Sequence, residues 1–281
     1  MTTRIRIGTR GSKLALWQAD ETARLLRAAG YAPELVVVKT TGDKRTDVSL
    51  ASIGGKGLFI KELEEALEKD EVDIAVHSLK DVPSIIPEHF ALAGFLERAD
   101  PRDAWVHPSN TPIADLPAGS IVGTSSPRRR AQLLELFPHL KIEDIRGNVD
   151  TRIDKARRGD YAGIVLASAG LTRLGRANEI TSYFSIDEMI PAAGQGIVTI
   201  ECLAENETAK TAARAMTHAP SETAALRERG VLQKFGTRLD CYSEIAVHAT
   251  ADGAIRAFFH GTRVRGTDID PVYEELSCAV K

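Results

Sequence analysis

Three consecutive arginines, Arg128-Arg129-Arg130, follow Ser126-Pro127 at the start of a helical pattern that continues from Ala131 to Phe137. Ser126 has N-cap chemistry and Pro127 suits the first helical position. Cations there face the positive end of the helix dipole, at a cost of roughly 0.3–1 kcal/mol each before screening. An anion docked at the helix start reverses that sign, because free N–H groups and guanidinium forks then point at one negative group. A solvated basic face is the plainer alternative. The pattern recurs, however. Arg4 to Gly8 alternates like a strand and leads through Thr9-Arg10-Gly11-Ser12 into a helix from Lys13 to about Ala29, with Ser12 as cap. Lys141 to Ile145 reads as a strand and leads through Arg146-Gly147-Asn148 into a helix carrying Arg152, with Asn148 as cap. Ligands of open α/β sheets sit outside the carboxyl ends of the strands, where such turns lie. Arginine favours planar two-oxygen partners, carboxylate or phosphate. The three turns together predict a cleft that holds several anionic groups at once.

His77-Ser78-Leu79-Lys80-Asp81-Val82-Pro83 follows a buried strand, which places Lys80 and Asp81 at a strand end. A carboxylate beside an apolar wall can stabilise positive charge developing on a substrate, or serve as general acid when protonated. Taken alone, Asp81 reads better as a structural cap of the turn before Pro83; beside the three arginine turns the functional reading is the better one. Gly54-Gly55-Lys56-Gly57 suits a flap or a plain turn, but lacks the spacing of a Walker-type phosphate loop. Among the three cysteines, Cys202 ends an apolar strand and reads as core, and Cys278 reads as structural. Cys241 lies in a polar stretch, where Arg238 favours a thiolate and Asp240 opposes it, so its reactivity stays open. No Cys/His group has metal-ligand spacing.

The elements that position these residues alternate. Glu34–Lys39, Asp73–His77 and Ala91–Leu96 read as strands and Leu58–Lys69 as a helix, a pattern that implies a largely parallel sheet covered by helices. Residues 98–103 form a polar, proline-bearing crossing point, and a second α/β unit runs from about Ala104 to Ile190. Pro191-Ala192-Ala193-Gly194-Gln195-Gly196 reads as a small-residue hinge, after which Ile197–Cys202 returns to strand. Two crossings of this kind make a cleft that opens and closes. A third unit then holds a helix to about Phe235, strands near Ile245–Ala249 and Ile255–Phe259, and a helix from Pro271. The expected domains are therefore 1–98 with 197–217, 99–196, and 218–281. With 281 residues, 43% apolar and 27% charged, the chain has ordinary globular composition. Its net charge of −3, from 36 basic and 39 acidic side chains, argues against general nucleic-acid binding. No stretch has the length of a membrane span, nothing reads as a signal peptide, and an odd cysteine count fits a reducing cytoplasm.

The chain resembles the porphobilinogen deaminase (hydroxymethylbilane synthase) family over nearly its whole length. The resemblance is carried by Thr9-Arg10-Gly11-Ser12-Lys13-Leu14-Ala15-Leu16-Trp17-Gln18-Ala19, Gly54-Gly55-Lys56-Gly57-Leu58-Phe59, and His77 to Pro83. Further motifs are Asp100-Pro101-Arg102-Asp103-Ala104, Gly123 to Arg129, Arg146 to Arg152, Leu166 to Gly175, and Pro191 to Gly196. It implies two periplasmic-binding-protein-like α/β domains with a double-crossover hinge and a small α+β C-terminal domain. It also implies a transferase of porphyrin and heme biosynthesis. Four porphobilinogen units are joined head to tail, with loss of ammonia, on a covalent dipyrromethane cofactor.

Residue by residue, the resemblance makes Asp81 the catalytic carboxylate and Cys241 the thioether attachment point. Lys80, Asp81, Ser126, Arg128, Arg129 and Arg146 correspond to cofactor contacts. Arg10, Ser12, Lys56, Arg146, Arg152, Arg173 and Gln195 correspond to substrate contacts, and Phe59 would pack on a pyrrole face. A cytoplasmic monomer without nucleic-acid, membrane or metal partners is implied. The chain departs from the family pattern around Cys241: Leu239-Asp240 stand where two glycines are usual, and Glu244 where a proline is. Backbone freedom and local charge must differ there. The competing expectation is a catalytically silent anion or tetrapyrrole binder of the solute-binding type, which would keep the arginines and lose the cofactor site.

Overall fold

The computed structural model describes residues 2–39, 60–236 and 243–278. In chain order the first elements are β1 (Arg4–Thr9), α1 (Lys13–Ala28), β2 (Ala32–Val37), α2 (Lys61–Glu68), β3 (Ile74–Ser78) and β4 (Phe90–Phe95). Then come β5 (Asp103–Val106), β6 (Ile121–Gly123), α3 (Pro127–Leu136), β7 (Lys141–Glu143), α4 (Val149–Arg157), β8 (Gly163–Ala167), α5 (Ser168–Arg173) and β9 (Ser182–Tyr183). The last are β10 (Val198–Leu203), α6 (Glu207–Arg214), α7 (Ala219–Phe235), β11 (Ala246–Ala249), β12 (Ile255–Phe259), β13 (Thr262–Gly266) and α8 (Ile269–Ser277).

The chain divides into two compact units, 1–98 with 197–226 and 99–196 with 227–281. The first holds a five-stranded sheet in the order β2-β1-β3-β10-β4. β1 runs parallel to β2 and β3, and β10 lies antiparallel between β3 and β4. Helix α1 begins at Ser12, whose hydroxyl accepts the Ala15 N–H. It buries Ala15, Ala19, Ala23 and Leu26, one stripe of a 3.6-residue period. Of these, Ala19, Ala23 and Leu26 pack with Ile5, Ile7, Ile74, Val76 and the β10 side chains Val198, Ile200 and Cys202. Strand β2 starts at Ala32, two residues before the expected Glu34, and includes Pro33. A proline is tolerated there because, among the described residues, β2 is an edge strand and the missing N–H takes no ladder bond away.

The second unit repeats the arrangement, with strand order β7-β6-β8-β5-β9. β6 is parallel to β7 and β8, while β5 is antiparallel to β8 and β9. In each sheet the antiparallel strand beside the parallel trio comes from beyond a crossing of the chain: β5 follows 98/99 and β10 follows 196/197. This is the double-crossover α/β arrangement that the family resemblance implies for the two domains. Strand β7 ends at Glu143, short of the expected Ile145. The register with β6 ends at Gly123 opposite Glu143, and beyond it the Asp144 carbonyl accepts the Tyr161 hydroxyl.

A separate antiparallel sheet, β11-β12-β13, belongs to the second unit. With α7 and α8 it encloses its own apolar core of Val231, Phe235, Val247, Ile255, Ala257, Phe259, Val264, Val272 and Leu276. Helix α8 starts two residues ahead of Pro271. Proline fits the first turn of a helix, where N–H groups have no intrahelical acceptor.

Candidate anion-binding and catalytic site

In the second unit, two strand-to-helix turns carry arginines. Ser126 caps α3 by accepting the Arg129 N–H at 3.4 Å, and Asn148 caps α4 by accepting the Thr151 N–H at 3.0 Å. The first two arginines of the triplet are not a solvated face: Arg128 and Arg129 are only 3% and 6% exposed. Arg128 Nη1 donates to Asp103 Oδ2 at 2.7 Å and to the Ile190 carbonyl at 2.8 Å. Arg129 Nε donates to Asp103 Oδ1 at 2.9 Å, with Nη2 2.7 Å from the same oxygen, and Nη1 donates to the Val165 carbonyl at 3.2 Å. Gln195 completes the group, donating from Nε2 to Asp103 Oδ1 at 3.0 Å and to the Pro101 carbonyl at 2.6 Å. Burial alone would push the Asp103 carboxyl up, but Arg128 and Arg129 hold it well below the usual carboxylate range. Arg130 differs, pairing with Asp144 at 2.7 Å at the surface.

Three further arginines lie in the same unit. Arg152 Nε donates to the Gly147 carbonyl at 2.7 Å. Its guanidinium is pushed down to about 10, first by burial and then by repulsion from Arg129 and Arg146. Gly147 sits at φ +111°, and a Cβ added there would meet Thr151 Cγ2 at 2.6 Å, so the Arg146-Gly147-Asn148 turn requires glycine. Arg173 Nη2 donates to the Gly196 carbonyl at 2.7 Å. The turns after β6 and β7 thus bring Arg129, Arg146 and Arg152 close enough to repel one another. Like charges held together in this way are a prepared setting for an anion.

In the first unit, the β1–α1 turn supplies Arg10 and Ser12, and the end of β3 supplies Ser78 and a short 3₁₀ turn, Leu79–Asp81. Arg10, Ser12, Gln18, His77, Ser78 and Asp81 are among the residues lining a cavity of about 90 Å³. Gln18, buried on α1, donates from Nε2 to Ser78 Oγ at 2.8 Å and so fixes the strand end. Asp81 and Lys80 are exposed. Behind the cavity, His77 Nε2 lies 3.0 Å from Glu201 Oε2, both buried between β3 and β10.

Of the residues expected to share one cleft, Arg10, Ser12 and Asp81 line this cavity of the first unit. Ser126, Arg128, Arg129, Arg146, Arg152, Arg173 and Gln195 lie in the second unit. Lys56, Phe59 and Cys241 lie outside the described residues. Cys202 is buried core, its thiol pushed up to about 11 chiefly by burial. Cys278 is exposed just beyond α8. Not anticipated as functional were Asp103, the shared counter-ion of two arginines, and Gln18. The first signal was available: Asp103 opens the apolar strand Asp103–Val106, a costly place for a carboxylate without partners. Among the described residues, no group of three or more His, Cys, Asp or Glu side chains is arranged to hold a metal ion. No described helix is long and apolar enough to cross a membrane.

The family described as porphobilinogen deaminase, dipyrromethane cofactor binding domain, matches residues 5–211. The chain is 45% identical over 279 residues to porphobilinogen deaminase of Geobacter metallireducens, covering 96% of this chain and 87% of that protein. It is 48% identical over 244 residues to the enzyme of Albidiferax ferrireducens, covering 87% and 77% respectively. It is 44% identical over 276 residues to the chloroplastic enzyme of Oryza sativa, covering 96% and 76%. With a family match across most of its length and relatives at this identity, the chain belongs to the porphobilinogen deaminase family.

Proposed function

We propose that the protein is a hydroxymethylbilane synthase, joining four porphobilinogen molecules into hydroxymethylbilane with release of four ammonia molecules and uptake of one water. The family and its named relatives support this reading. One observation carries it at the level of the site: Arg152 is held near two like charges, Arg129 and Arg146, at helix starts. Each porphobilinogen brings an acetate and a propionate arm, and carboxylates are the partners that turn this repulsion into attraction.

The same arginines fit a dipyrromethane group, which bears the same acid arms. Lys80, Ser126, Arg128, Arg129, Arg146 and Asp81 would hold it, with Cys241 as its thioether attachment. When bound, it supplies the nucleophilic pyrrole carbon from which the chain grows. Asp81 acts on the incoming porphobilinogen. Its carboxyl gives a proton to the departing amine, so the C–N bond breaks with ammonia as leaving group. The resulting carboxylate then faces the positive pyrrole nitrogen of the same molecule and stabilises it. The same carboxylate would then take up the proton released as the new C–C bond forms, which restores the acid. Arg10, Ser12, Arg146, Arg152, Arg173, Lys56 and Gln195 hold substrate arms, and Phe59 packs on a ring face.

Residues 218–281 act as a third domain that presents Cys241, and the protein works as a monomer in the cytoplasm. Incubation of purified protein with porphobilinogen tests the function directly. Ammonia should appear in step with porphobilinogen loss, and oxidation of the product should give porphyrin absorbance at one porphyrin per four porphobilinogens. Intact porphobilinogen after prolonged incubation would overturn the assignment.

A further inference from the structure

The Asp103–Arg128–Arg129 cluster is continuous with a second buried carboxylate that the reaction does not use. Glu228 lies on α7, is fully buried, and belongs to the same unit as the cluster. Its Oε2 accepts the Gly194 N–H at 2.6 Å and its Oε1 accepts the Ala249 N–H at 2.7 Å. His248 Nδ1 lies 3.5 Å from Oε1. Gly194 immediately precedes Gln195, whose amide donates to Asp103, and Asp103 in turn holds Arg128 and Arg129. Ala249 ends β11, the strand that follows Cys241 in the chain. One carboxylate therefore joins the sheet downstream of Cys241 to the turn that sets the arginines.

The chemistry of this joint is specific. Two backbone N–H groups approach two oxygens of a single buried anion, the strong charge-assisted form of the hydrogen bond. Gly194 sits at φ +74°, so the turn is held in a conformation that few residues other than glycine adopt. Ala193 packs against the core of the three-stranded sheet, which fixes the same turn from a second side. Glu228 itself bonds to Gly194 and Ala249 and lies beside His248, so its effect on substrate passes through Gln195, which the proposed function places on a substrate arm, and through Asp103 beyond it.

We propose that Glu228 is a positioning residue for substrate binding: by clamping Gly194 to Ala249 it sets Gln195, the proposed substrate contact, in place on Asp103. The proposal rests on the hydroxymethylbilane synthase reading. Glu228→Gln keeps the shape but offers one acceptor and places an amide NH₂ against a backbone donor. The expected result is a rise of about tenfold in KM for porphobilinogen, with kcat within about threefold of wild type. A scaffold role alone would lower thermal stability and leave KM in place.

A double-mutant cycle with Gln195→Ala separates the two roles. If Glu228 acts through Gln195, the double variant has a KM close to that of the worse single variant. Independent, multiplying effects on KM would overturn the proposal, as would an unchanged KM in Glu228→Gln. Should Glu228→Gln fail to fold, Gly194→Ala strains the same turn without touching the carboxylate. It should give the same rise in KM, and an unchanged KM there overturns the proposal as well. Wild-type turnover of porphobilinogen is measured alongside. Its absence would refute the functional reading, whereas a normal wild type with an unaffected variant KM would refute only the role of Glu228.

Discussion

Asparagine at position 103 would remove one charge and leave two buried guanidiniums facing each other. Asp103 accepts from Arg128 Nη1, Arg129 Nε and Gln195 Nε2, with Arg129 Nη2 within 2.7 Å as well, and its side chain has no exposure. Asparagine has nearly the same volume, so no cavity term enters. It retains one carbonyl acceptor and turns an NH₂ donor toward an arginine. Removing one member of a buried ion pair costs roughly 3–5 kcal/mol, because the surviving charge stays desolvated. Domains have only about 5–15 kcal/mol to lose. At roughly 2–4 °C per kcal/mol for a protein of this size class, Asp103→Asn should melt about 6–20 °C below wild type.

The pH dependence adds a sharper test. The Asp103 carboxyl lies below its unfolded value of about 3.9. Its contribution is therefore fully present above that pH and is lost as acid is added below it. The stability gap between wild type and variant, read from urea unfolding, should be constant from about pH 5 to 7 and should shrink below about pH 4. A gap under about 1 kcal/mol at pH 7, or one that holds its size into acid, would refute the view that this carboxylate neutralises the buried arginines.

Arg152→Gln should leave thermal stability within about 1 kcal/mol of wild type while raising KM for porphobilinogen at least tenfold. A base whose folded value lies below its unfolded one destabilises the fold wherever it is charged, here at every pH below about 10. Among the described residues, its removal forfeits the bond to the Gly147 carbonyl. A large stability loss with unchanged KM would mark it as structural. Asp81→Asn should lower kcat by a factor of about 10² to 10⁴ with little change in melting temperature, since the side chain is exposed; wild-type kcat would remove it from the chemistry. Cys241→Ser should lack the mass of one dipyrromethane that the wild-type protein carries in intact-mass spectra, and equal masses would contradict the attachment.

Much of this was readable from residues close together in the chain. Ser12, Ser126 and Asn148 cap their helices because small polar residues precede helical periodicity, a local signal. The stripe Ala15, Ala19, Ala23, Leu26 likewise announces the buried face of α1. What the sequence hides is long-range pairing. Asp103 meets Arg128 and Arg129 across 25 and 26 positions, and Gln195 reaches Asp103 across 92. No periodicity marks such partners. The arginine triplet was legible as a group, but not that two of its members are buried on a carboxylate while the third pairs with Asp144 at the surface. Strand β13 and helix α6 also went unread. β13 is five residues long with one buried side chain, Val264, and α6 is eight residues long and buries only alanines, so both are short, weakly apolar signals.

The central claim is that clustered guanidiniums recognise the acid arms of the pyrrole substrate. It is tested most directly by comparing porphobilinogen with an analogue that has methyl groups in place of the acetate and propionate, its aminomethyl group retained. Ammonia release from the analogue should proceed with a kcat/KM at least a hundredfold below that of porphobilinogen. Equal values for the two compounds would contradict the account.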